Sequence, residues 1–171
     1  MKRNLGSQIK WALYTGAFLL VFFFESCVFN RFPIRHAVPE LAPLAVIAVG
    51  CFEGSMSGAV YGLIVGLFCN AVYYRSGAIM IPTCTVMGIV SGFTNGKTIG
   101  QTPLGMAVCS VFGMALLECG RVFYYHFFGG NPTDTLWAIA IPEGLYSLAF
   151  ALPVYVLYWL IYRYYRTDSE L

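Results

Sequence analysis

Residues 54–67 read Gly54-Ser55-Met56-Ser57-Gly58-Ala59-Val60-Tyr61-Gly62-Leu63-Ile64-Val65-Gly66-Leu67, with a glycine at every fourth position. A four-residue step brings Gly54, Gly58, Gly62 and Gly66 near one face of a helix. In lipid, helices associate by close packing and not by expelling water, so a face without side chains lets another backbone approach. A second ladder, Gly88, Gly92, Gly96 and Gly100, repeats the spacing, and its last two members flank Lys97 and belong to a loop. Two uses of these faces stay open: packing among the chain's own helices, or docking of a partner's helix.

Outward from the ladder, the composition fits a bilayer. The 171 residues are 58% hydrophobic and 11% charged, whereas soluble domains carry roughly twice that share of charge. Apolar segments fall at about 11–29, 39–53, 55–74, 77–95, 103–128 and 135–162, between turn-rich pieces such as Asn30-Arg31-Phe32-Pro33 and Gly129-Gly130-Asn131-Pro132. The expected fold is an all-α, polytopic integral membrane bundle of six transmembrane helices. Six spans of about 20 residues leave too little chain for a second domain, so 1–171 reads as one transmembrane domain. The second span is short and its connection through Glu53-Gly54-Ser55 almost absent, which predicts a tight helical hairpin or a bent, partly re-entrant pair.

Lys2, Arg3 and Lys10 before an apolar run imitate a signal peptide, but no small-residue cleavage site follows, so the first span reads as uncleaved. An even number of spans places both tails on one side. Lys2, Arg3, Lys10, Lys97, Arg163 and Arg166 then outnumber Arg31, Arg35 and Arg75, which predicts cytoplasmic termini. The net charge of +2 forms no nucleic-acid footprint.

Little in the chain could carry chemistry. Acidic groups in or near spans need a reason, because intramembrane charge is costly. Glu118 and Arg121, three residues apart, can neutralise each other as helix neighbours, either bracing the bundle or meeting a partner or solute. Glu143, between Pro142 and Gly144, fits a hinge or an outer cap. Glu25 reads as interfacial, and Glu53 as within reach of water at the short connection. His36 and His126 fall in or beside external connections, and Cys27, Cys51, Cys69, Cys84, Cys109 and Cys119 read as small buried hydrophobes. Without a His-Glu-x-x-His, Gly-x-Ser-x-Gly or P-loop motif, the expectation is a protein that is not an enzyme and binds no metal or cofactor.

Pro39-Glu40-Leu41, an apolar span, the ladder from Gly54 to Gly66, the polar Asn70 and then Ser76-Gly77 resemble the MreD family of bacterial rod-shape-determining membrane proteins. Pro142-Glu143-x-Leu145-Tyr146, running through Pro153 to the basic Arg163 and Arg166, looks like that family's last helix. One departure is visible: Asn70 stands where the family commonly has aspartate. Asn can keep the hydrogen bonds of a helix end without the charge. The resemblance implies a non-enzymatic scaffold in the bacterial cell membrane, part of the elongation complex that joins MreC, and through it MreB, RodA and a class B penicillin-binding protein. It also implies a fold similar to the S components of energy-coupling-factor vitamin transporters. The alternative function is therefore a substrate-binding S component, to which His126, Asn131 and Asp134 would offer polar groups near an outer mouth.

Overall fold

The computed structural model describes residues 2–27, 39–72, 79–94, 102–124, 126–127 and 144–167. Among these the chain is all helix: α1 (Lys2–Cys27), α2 (Ala42–Glu53), α3 (Ser55–Val72), α4 (Met80–Gly92), α5 (Pro103–Tyr124) and α6 (Ala151–Thr167), with a further helical segment over 144–149. Gly96, Gly100, Lys97, His36, Asn131, Asp134, Pro142 and Glu143 lie outside the described residues.

The organising element is α2. Its sequence, Ala42 to Phe52, has no polar face, and every one of those residues is buried. A helix that is apolar all round must be surrounded, and α1, α3, α4, α5 and α6 all pack against it. At 12 residues it is about 18 Å long, well short of the roughly 30 Å hydrocarbon core.

Where the sequence predicts six spans, three helices are long and apolar enough to cross a membrane by themselves: Gln8–Cys27, Ser55–Val72 and Pro103–Tyr124. Helices α2 and α4 are shorter, and α6 has 17 residues.

Neighbouring helices alternate in direction. Glu25 of α1 meets Leu41 while Tyr14 meets Glu53, so α1 runs antiparallel to α2. The close approaches Gly58–Gly50 and Gly62–Val46 make α2 and α3 an antiparallel hairpin, and Gly58–Gly88 with Gly66–Ile81 turns α4 back along α3. Gly113 against Ile47 and Arg121 against Glu40 set α5 antiparallel to α2, and α6 returns with Phe52 against both Tyr155 and Tyr162.

One residue, Gly54, joins the hairpin, with φ 95° and ψ 175°. That region is essentially restricted to glycine. Gly54 thus serves the turn, and its backbone also lies against Gly92 of α4, where an added Cβ would come 2.5 Å from the Gly54 carbonyl carbon.

Some boundaries differ from the sequence reading. Helix α1 starts at Lys2, ahead of the apolar segment at about 11–29, because a helix need not begin where its apolar stretch does. The last predicted span, 135–162, is interrupted at Phe150, and α6 continues to Thr167. Pro153 has no N–H to donate to the Ala149 carbonyl and its ring crowds that oxygen. The chain answers with a tighter turn, Phe150 N–H donating to the Ser147 carbonyl at 3.0 Å.

Candidate site: a glycine junction between two buried polar clusters

The two ladders face each other. A Cβ built on Gly62 would collide with the Cys84 carbonyl, lying 2.9 Å from its carbon and 3.1 Å from Val46 Cγ1. One on Gly58 would run into the Gly88 carbonyl, one on Gly88 into the Gly58 carbonyl, and one on Gly92 into the Ser55 backbone. On Gly66 it would sit 2.9 Å from Ile81 Cα. These glycines therefore join α3 to α4. A third helix enters at Gly50 of α2, where a Cβ would lie 2.8 Å from the Gly88 carbonyl oxygen. Sequence reasoning missed Gly50, although it lies four residues before Gly54 and extends the first ladder by one step.

One polar cluster closes the N-terminal end of α2. The first amides of any helix lack intrahelical partners and carry partial positive charge. Here they receive a carboxylate from another helix: Leu41 N–H and Ala42 N–H donate to Glu25 Oε2 at 2.9 and 3.2 Å. Glu25 is 4% exposed, so it is a buried cap and not an interfacial residue.

Beside it, Arg121 donates to Glu118 Oε1 at 3.2 Å and forms a second, shorter ion pair with Glu40. The three side chains are 12–18% exposed. Glu40 N–H donates to Ser147 Oγ at 2.8 Å, drawing in the segment before α6. The Glu118–Arg121 pair read from the sequence is thus one half of a bridge whose other half, Glu40, lies 81 residues away.

The second cluster lies at the C-terminal end of α2. Lys10 Nζ approaches Glu53 Oε1 at 2.5 Å, and Tyr14 O–H donates to the same oxygen at 2.8 Å. Tyr61 O–H donates to the Tyr14 carbonyl at 3.0 Å; with its only proton committed, it accepts from Tyr158 O–H at 3.1 Å. Tyr14 and Tyr158 stack with centroids 5.7 Å apart, and Lys10 also lies 5.4 Å from the Tyr162 ring centroid. Contrary to the sequence reading, Glu53 is held by Lys10 and Tyr14, with its side chain 16% exposed.

The remaining candidates are scattered. Pro39 is buried ahead of α2, Asn70 is half-buried in the last turn of α3, and His126 is exposed just beyond α5. Cys51, Cys69 and Cys84 are buried, but Cys109 is half-buried and Cys27 and Cys119 are exposed, which corrects the uniform burial expected of the cysteines. An apolar run in a bundle has an outward side as well as an inward one.

Among the described residues no three His, Cys, Asp or Glu side chains gather as a metal site. An apolar groove of about 560 Å³ runs between α1 and α3, lined by Trp11, Phe18, Val60, Ile64 and Phe68. Such a lining can hold hydrocarbon but offers few directed polar contacts. Comparison with known protein families, with curated proteins and with solved structures returns no match.

Proposed function

We propose that the chain is a multi-pass membrane scaffold of the bacterial cell-wall elongation complex, contributing to rod shape and lateral peptidoglycan synthesis in association with MreC. The observation that supports this reading is the inward commitment of the bundle's charges. Glu25 caps α2, Arg121 is engaged by Glu40 and Glu118, and Glu53 is engaged by Lys10. What faces outward is apolar helix surface, such as Leu20 and Phe23 on α1, Val60 and Ile64 on α3, and Phe112 on α5. Surfaces of that kind recognise other membrane helices by packing.

In this reading all six helices cross the bilayer. The alternating directions favour it, and the short α2 is shielded from lipid by its neighbours, so its ends can meet polar groups inside the bundle. The approach of Lys10 to Tyr162 brings the start of α1 and the end of α6 to one end of the molecule. In this reading that end is the cytoplasmic one, in keeping with the basic residues near the two termini, Lys10 and Arg163 among them.

Depletion of the protein from a rod-shaped host is expected to round the cells and to remove side-wall incorporation of a fluorescent peptidoglycan precursor. Unchanged shape together with impaired uptake of a nutrient would overturn the proposal in favour of a transporter's binding subunit.

A further inference from the structure

Cys51, in the last turn of α2, and Cys109, early in α5, are far apart in sequence but share one polar neighbour. The Thr94 hydroxyl, just past the end of α4, lies 3.7 Å from Cys51 Sγ and 3.8 Å from Cys109 Sγ, and it also donates to the Ser91 carbonyl at 2.6 Å. Both sulfurs contact the same hydroxyl oxygen, which makes them neighbours where α2 packs on α5. Cys51 is fully buried and Cys109 half-buried, so Cys109 is the more accessible of the two residues. Cys109 is six residues beyond Pro103, about 9 Å along α5 from its first residue, which keeps it near the end of the bundle. A partly accessible attacking thiol beside a second, resolving thiol is the arrangement of a peroxide-sensitive pair.

We propose that Cys51 and Cys109 form a modification site that a hydroperoxide closes into a disulfide, fastening the core helix α2 to α5. Hydrogen peroxide is small and uncharged, so it can reach a thiol at the edge of a bundle in lipid. In the first step Cys109 Sγ attacks the peroxide; the O–O bond breaks, an S–O bond forms, and the thiol proton leaves with the departing hydroxide as water. In the second step Cys51 Sγ attacks the Cys109 sulfur; an S–S bond forms, the S–O bond breaks, and the Cys51 proton leaves with that hydroxide as a second water. Two thiols are oxidised and one peroxide is reduced to two waters. The closed state holds the hairpin end of α2 against α5 beside the Thr94 hydroxyl.

The test uses the full chain in lipid nanodiscs, with the exposed Cys27 and Cys119 replaced by serine, which leaves four of the six cysteines. After treatment with hydrogen peroxide, denaturation and maleimide labelling, the free thiols are expected to fall from four to two. Peptide mapping should find Cys51 linked to Cys109, and dithiothreitol should restore all four thiols. With Cys51→Ser, Cys109 should stop at the sulfenic acid and be trapped by dimedone; with Cys109→Ser, no thiol should be lost. Mapping the unsubstituted chain gives the same readout without any variant having to fold. Four thiols remaining after peroxide, or a cross-link between Cys69 and Cys84 in place of the assigned pair, would overturn the proposal.

Discussion

Gly62→Leu is expected to abolish the stably folded bundle, because the new side chain would have to occupy the space of the α4 backbone at Cys84. Neither helix has a flexible side chain there that could move aside. Even Gly62→Ala should cost about 1–3 kcal/mol, the range for overpacking a tight interior, since its Cβ collides with a main-chain carbonyl. Gly16→Ala on α1 provides the control, with open space where its Cβ would go, and should leave stability unchanged or raise it by up to about 1 kcal/mol through the better helix propensity of alanine. Thermal unfolding followed by gel filtration in detergent separates the three variants. A Gly62→Leu protein that remains monodisperse to the wild-type temperature would show that α3 and α4 do not touch as described.

The second large effect is expected at Arg121. Arg121→Met leaves Glu40 and Glu118 side by side in a mostly buried site with no cation between them. Breaking a buried ion pair from one side costs about 3–5 kcal/mol, much of it from the charges left behind. The unfolding temperature should therefore drop well below that of wild type. Combining Arg121→Met with Glu40→Gln and Glu118→Gln removes those orphaned charges and should recover most of the loss, a non-additivity diagnostic of direct coupling. Equal stability of the single variant and wild type would mean that Arg121 does not bridge the two carboxylates.

These residues also mark how far the sequence could be read. Glu118 and Arg121 were recognisable as partners because three positions on one helix fix their proximity. Glu40 was not, since its pairing with Arg121 depends on two helices meeting 81 residues apart. Glu25 likewise resembled an interfacial residue, because nothing local shows that the amides of Leu41 and Ala42 arrive beside it. The ladders announced smooth helix faces through their spacing, but the spacing left open what would cover them. Their mutual contact, and the entry of Gly50 between them, exist only once α2, α3 and α4 are packed. The helical hairpin through Gly54 was legible because so little chain separates the two apolar runs.

Helix lengths were less legible than helix positions. Hydropathy marks where a segment is apolar, while the helix ends depend on what its backbone meets. Helix α2 stops at 12 residues because Glu25 receives its first amides and Gly54 turns the chain at its other end. In the last segment, Pro153 forces a break at Phe150 that its apolar neighbours conceal.

The proposed scaffold role depends on recognition through outward apolar faces, and the most direct measurement is affinity purification of the wild-type chain from detergent-extracted membranes of a rod-shaped host. MreC is expected to co-purify with it; a correctly inserted, monodisperse chain that recovers no MreC would contradict the role.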